Sequence, residues 1–402
     1  MSVFNYIHEV KSGRTSSIAH HIMGYDNNGT IINYQDTRSS DWSSIVKRSG
    51  KIISFFDLAG HEKYLKTTIA GLSSSIPDMC FITVGANMGI TRMTKEHIFL
   101  CVMLNIPFVV IITKIDICAN RKNVLEDTIV DLKKLLKMPG VRKITYRIKT
   151  KDDILLCTKR NSENNIVPLF FISNVTGEGI DNIRFFLNIM HKRKDNINNH
   201  DKHVEYHIDT IFYVTGVGTV VGGHLKTGSI TVGDKLYLGP NTTNAPYEQF
   251  QVKSIHSKKT LVNTVQSSGY ACICLRKAQR KNIRKGHVLL SHVSQLKAIR
   301  VFEANITVLK THSTSIKIGY EPVLHVSTVR QTAKIIDIKD IIKSKHNPNN
   351  KEPEETIVLR TGDKATVTFR FKYKPEYLCE GYKVLLAEGK VKIVGVITKI
   401  HT

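Results

Sequence analysis

The chain has a single tryptophan, Trp42, only ten prolines, and no cysteine pair in C-x-x-C spacing. That last absence excludes the commonest zinc and dithiol frameworks, so the seven cysteines read as scattered reduced thiols. Cys272 and Cys274 share one face of an alternating stretch, but two adjacent ligands do not complete a four-coordinate site. Long apolar runs are missing too. The longest, Ile106 to Ile112, is interrupted by Pro107 and falls short of the ~20 residues a spanning helix needs. The first ten residues carry Glu9 and no apolar block ending in small side chains, so no secretory signal is read there and a cytoplasmic protein is expected. Acidic residues are scarce, with 34 Asp and Glu against 58 Lys and Arg and a net charge of +24.

What is present suits a folded, multidomain protein. At 402 residues and 41% hydrophobic content, two to four domains are expected. A surplus of positive charge favours approach to polyphosphates, which points to RNA or DNA as a partner. A second reading stays open, because 41 lysines against 17 arginines, with abundant asparagine, also reflect an AT-rich genome and a solvated lysine face.

From Lys51 to Leu187 short apolar runs alternate with amphipathic stretches: 52–56 then 62–72, 79–84 then 94–104, 108–113 then 124–136. Another apolar run at 167–173 and a helical pattern at 180–190 follow. This rhythm predicts an α/β domain over residues 1–190, a parallel doubly wound sheet covered by helices. Residues 191–202 are polar and aperiodic and are read as a linker. Beyond them, short alternating segments punctuated by glycines predict two antiparallel β-barrels, over 203–297 and 298–402. A lysine-, asparagine- and glutamate-rich stretch at about 337–356 is read as a loop inserted in the second barrel.

Four segments carry candidate chemistry. Asp57-Leu58-Ala59-Gly60-His61 closes an apolar strand, where an open α/β sheet places its ligands. A carboxylate there can hold Mg²⁺, commonly through water, and Gly60 lets a backbone N–H approach a terminal phosphate. The alternative is a plain helix cap. Thr113-Lys114-Ile115-Asp116 closes a second strand, and its carboxylate can accept from N1 and N2 of guanine while the lysine stem lies along the base. Ser173-Asn174 ends a third strand, where turn N–H groups can reach the guanine O6, with Thr176 as a candidate N-cap of the next helix. Upstream, the polar loop Ser12 to Ser17 contains Thr15, whose hydroxyl can complete Mg²⁺ coordination.

In this order, the residues resemble the elongation-factor-Tu-like translational GTPases, in the branch of GTP-binding protein 1 and its relatives, over essentially the whole chain. Thr15 is similar to the switch I threonine, Asp57 to His61 to the D-x-x-G-H of switch II, and Thr113 to Asp116 to N-K-x-D with Thr for Asn. Ser173-Asn174 takes the serine-motif position, Gly216 to Gly223 resembles the hairpin opening the second domain, and Arg284 to Leu289 its closing strand. Gly319 to Val323 and Leu359 to Ala365 resemble third-domain segments. The resemblance implies GTP and GDP as ligands, Mg²⁺ held by Thr15 and Asp57, guanine read by Asp116, and a hydrolytic water positioned by His61. It further implies a monomeric switch acting on tRNA, ribosome or mRNA.

One family motif is missing. No G-x-x-x-x-G-K-[ST] occurs, and only fourteen residues precede Thr15, so the first strand and phosphate loop of a P-loop fold are not found. The expectation is that the start given is internal to a longer protein. The alternative is a degenerate G domain in a nucleotide-independent RNA- or protein-binding module, and hydrolysis by this chain unaided is not expected.

Overall fold

The computed structural model describes residues 4, 6–33, 41–75, 77–118, 122–138, 140–160, 165–192, 203–241, 247–309, 315–344, 357–387 and 391–401. In the first third these are α1 (Ile7–Ser12), β1 (Ala19–Tyr25), α2 (Trp42–Arg48), β2 (Lys51–Asp57), α3 (Leu65–Ser75), β3 (Cys80–Gly85) and α4 (Arg92–Met103). They continue with β4 (Phe108–Thr113), α5 (Lys122–Lys137), β5 (Ile144–Arg147), α6 (Lys151–Arg160), β6 (Ile166–Phe171) and α7 (Ile180–Ile189).

β3, β4, β6 and β5 form a parallel sheet in that order, and β1 and β2 form a separate antiparallel pair. β4, with the sequence FVVIIT, is buried at five of its six positions, as a central parallel strand covered on both faces must be. α5 lays Ile129, Leu132, Leu135 and Leu136 on the sheet and leaves an Asp131–Lys134 ion pair in water. The amphipathic stretch read from Glu62 is a 3-10 turn at Glu62–Tyr64, and the α-helix starts only at Leu65. Among the described residues β2 pairs only with β1, and β3 only with β4.

The first barrel comprises β7 (Glu205–Val214), β8 (Gly218–Thr227), β9 (Ser229–Thr231), β10 (Lys235–Gly239), β11 (Glu248–Ser257), β12 (Thr260–Val262), β13 (Thr264–Gln266), β14 (Gly269–Leu275) and β15 (Val288–Leu290). β10, β15, β7, β8, β14 and β11 close on themselves through the β10–β11 pairing, and β12 extends β11. The second barrel runs from β16 (Val301–Val308) through β17 (Ile316–Lys317), β18 (Val323–Val326), β19 (Val329–Ile342), β20 (Val358–Leu359), β21 (Lys364–Phe371) and β22 (Lys383–Ala387) to β23 (Val391–His401). Its six-stranded ring is β16-β21-β19-β18-β22-β23. Closure removes the unpaired edges an open sheet would leave, and each ring has its own apolar core. β19 carries on to Ile342, so positions 337–342 are strand rather than loop, while 345–356 and most of the expected linker lie outside the described residues.

The three bodies are fastened to one another. Leu385 of β22 is buried in the α/β core, and α3 touches both β8 and β18. His20 of β1 stacks on its register partner Phe56 of β2, with ring centroids 4.5 Å apart, and both meet Tyr270 of β14. Between the barrels, Arg284 Nη1 donates to both carboxylate oxygens of Glu376, at 2.8 and 2.7 Å, while within the second barrel Gln331 Nε2 donates to Glu376 Oε1 at 2.6 Å.

Candidate nucleotide site

Ala19 faces Asp57 in the β1–β2 register, so the chain entering β1 passes the end of β2. There Thr15 Oγ1 donates to Asp57 Oδ2 at 3.1 Å. The 3-10 turn that follows is capped by His61, whose Nδ1 accepts from Lys63 N at 3.2 Å, so Asp57 does not serve as a helix cap. Ala59 is buried, and its carbonyl accepts from Thr68 Oγ1 of α3 at 2.5 Å. Leu58 packs on the sheet core, which fixes the loop from its inner side. Gly60 is exposed, with open space where a Cβ would stand. His61 is exposed as well, beside the Tyr64 ring, while Glu62 and Arg92 pair at 2.8 Å and tie the turn to α4. Arg14 faces solvent.

The second cluster lies where β4 and β6 end side by side. Lys114 adopts a left-handed φ of 60° and turns the chain out of β4. Ile115 N then donates to Ile172 O at 3.4 Å, which joins the two loops and sets Asp116 against the β6 end. Asp116 Oδ1 is buried without a hydrogen-bond partner among the described residues. Buried carboxylate oxygens are rarely left unpaired, which marks Asp116 at this strand end. Thr113 occupies its place by lacing strands: its carbonyl accepts from Ala86 N at 2.9 Å and its hydroxyl donates to Val84 O at 3.4 Å.

Ser173 is fully buried, with Oγ accepting from Val175 N and Thr176 N, both at 3.2 Å. Gly177 N donates to its carbonyl at 2.9 Å, and Asn174 is left exposed at the tip. Thr176 is not the N-cap of α7. That position is Gly179, with φ 75°, because the serine turn runs three residues further than the sequence suggests. Thr176 Oγ1 instead accepts from Glu178 N at 3.3 Å.

The structure thus joins Thr15 to Asp57, and the Asp116 loop to the Ser173 loop, while His61 stands in solvent. Among the described residues no group of three or more His, Cys, Asp or Glu side chains can hold a metal. A hydroxyl and a carboxylate fit Mg²⁺ nonetheless, since that ion keeps several waters and takes substrate phosphates as ligands. Glu9 carried no signal in the sequence, yet it holds the Thr15 segment: its Oε1 accepts from the Ser16 amide at 2.7 Å and the Ser17 amide at 2.9 Å. Its partners lie seven and eight positions away in no recognised motif, so only the folded chain reveals it.

The elongation factor Tu GTP-binding domain matches residues 5–268, and the elongation factor Tu C-terminal domain matches 295–401. The chain belongs to the elongation factor Tu family. GTP-binding protein 1 of Xenopus laevis is 42% identical over 400 residues, covering 99% of this chain and 58% of that protein. GTP-binding protein 2 of Homo sapiens is 37% identical over 405 residues, covering 100% and 64%. This family member therefore spans about three-fifths of the length of the curated relatives it matches. Its fold is that of translation elongation factor SelB from Methanococcus maripaludis in complex with the GTP analogue GPPNHP, with TM-score 0.63, 22% identity, and coverage of 87% of this chain and 71% of that one. An α/β domain followed by two antiparallel barrels is the architecture of this family member, as its sequence predicts.

Proposed function

We propose that this chain supplies the guanine-reading and magnesium-binding parts of a GTP site in a translational-type switch. The observation that carries the reading is the orphaned Asp116 Oδ1 beside the buried Ser173 turn. Guanine offers the N1–H and N2–H pair that a carboxylate at that place accepts, and adenine does not. Thr15 and Asp57 would hold Mg²⁺, which neutralises phosphate charge when bound. Leu58, Ala59 and Gly60 form the loop that faces the phosphates, and Gly60 has room for close approach. His61, exposed at the cap of the 3-10 turn, would orient the attacking water. The +24 charge supports an RNA partner such as tRNA, ribosome or mRNA, and the family resemblance supports a cytoplasmic monomer. No helix among the described residues is long and apolar enough to cross a membrane.

The test is competition at equilibrium: fluorescent GDP is bound with Mg²⁺ and displaced with GTP, ATP or buffer containing EDTA. Displacement by GTP but not ATP, and release by EDTA, are the expected results. Equal displacement by ATP would refute the assignment. A second reading is favoured by the two closed barrels, each with its own apolar core. In it the α/β domain is vestigial and the barrels bind RNA or protein without nucleotide, so RNA affinity would be identical with and without GTP.

A further inference from the structure

We propose that Glu9 is a positioning residue of the magnesium side of this site, an inference that rests on the guanine-nucleotide reading above. Glu9 is 0% exposed, and its Oε1 accepts from both the amide and the hydroxyl of Ser16, each at 2.7 Å, and of Ser17, each at 2.9 Å. Its Oε2 accepts from Tyr6 N at 3.1 Å. His8 Nε2 lies 2.8 Å from the same Ser16 hydroxyl. Bonds to a charged acceptor are shorter and stronger than neutral ones, so this carboxylate clamps the two residues that follow Thr15.

The element that presents Glu9 has little other reason to stay in place. α1 is six residues long, too short to be stable by itself, and it exposes Tyr6, Ile7 and Val10 rather than burying them. Gly13, with φ 62°, reverses the chain at its end and returns Arg14 to Ser17 past Glu9. The result is a short closed loop whose outward residue, Thr15, meets Asp57. With Ser16 and Ser17 fixed, Thr15 loses the freedom to swing away. Without them it hangs from a polar loop whose next apolar side chain, Ile18, is 39% exposed. Glu9 therefore sets how much magnesium is needed to retain nucleotide, without touching the ion.

The experiment compares the full chain with Glu9→Ala, Glu9→Gln and Thr15→Ala. Amide hydrogen exchange at Ser16 and Ser17 is measured without nucleotide, and release of fluorescent GDP is followed across a magnesium titration. Glu9→Ala is expected to speed exchange at both amides and, like Thr15→Ala, to raise the half-saturating magnesium concentration about tenfold, since a charged acceptor is lost. Glu9→Gln keeps an acceptor oxygen and is expected to fall between. Retention in EDTA should be equal in all four proteins. Unchanged exchange in Glu9→Ala would overturn the clamp, and faster exchange with an unchanged magnesium requirement would reduce Glu9 to a structural role. If the parent chain retained no guanine nucleotide, the reading of the site would fall and the magnesium role with it, while exchange would still decide the clamp.

Discussion

Thr15 Oγ1 and Asp57 Oδ2 are 3.1 Å apart across 42 positions of sequence. Their hydrogen bond brings the loop before β1 to the end of β2, and with it the two oxygens that suit a magnesium ion carrying its own water and phosphate ligands. Thr15→Ala removes one of them. It is expected to weaken magnesium-dependent nucleotide retention about tenfold while leaving stability within about 0.5 kcal/mol. Nucleotide release rates at several magnesium concentrations, with urea unfolding as the control, check both halves.

Glu376 joins the barrels. It is 3% exposed and takes both Arg284 bonds and the Gln331 bond. Glu376→Ala would leave a partly buried guanidinium without its carboxylate, at an expected cost of about 3 kcal/mol. Urea denaturation of the full chain measures it, and a loss below about 1 kcal/mol would mean that the pair adds little beyond its desolvation cost.

Acid should weaken the fold. Burial lowers the pKa of His224 to about 4, helped by nearby His207; of His287 to about 3, helped by Arg284 and Lys374; and of His325 to about 4, helped by Arg330 and Lys66. Each is neutral when folded and regains the ordinary value of 6.5 when unfolded. Between those values the unfolded chain holds more protons, so stability falls as pH drops from 6.5 toward about 4. The slope expected is on the order of 1 kcal/mol per pH unit for each histidine. Urea midpoints read across that range test it, and His325→Gln should flatten the curve.

Much of the fold is legible from residue order, and the exceptions have physical causes. FVVIIT at 108–113 declares a buried strand because both faces are covered, whereas Ala19–Tyr25 (AHHIMGY) hides one, since two histidines and a glycine dilute its apolar pattern. His20 is tolerated there because it stacks on Phe56 and meets Tyr270 edge-on. β19 continues through Asp337, Lys339 and Asp340, where charges on the outer face of a barrel strand look like loop composition. At the candidate site, the places of Asp57, Asp116 and Ser173 at strand ends are legible in the sequence. Glu9 is not, because its meaning lies in donors brought back by a turn at Gly13.

The basic surplus makes a prediction of its own. If RNA is the partner, affinity should fall steeply with salt, by about a hundredfold or more over a fourfold rise in concentration, because each neutralised phosphate releases a counterion. Filter binding across a salt series measures the slope, and a flat response would assign the lysines to solvation alone.

Asp116→Asn tests the central claim most directly. The substitution exchanges an acceptor pair for one acceptor and one donor, which matches the carbonyl that xanthine carries in place of the guanine amino group. With Mg²⁺ present, the variant is predicted to lose guanine nucleotide affinity at least about tenfold and to gain xanthosine diphosphate binding. If the variant binds both nucleotides as the parent does, Asp116 does not read the base and the proposed site is wrong.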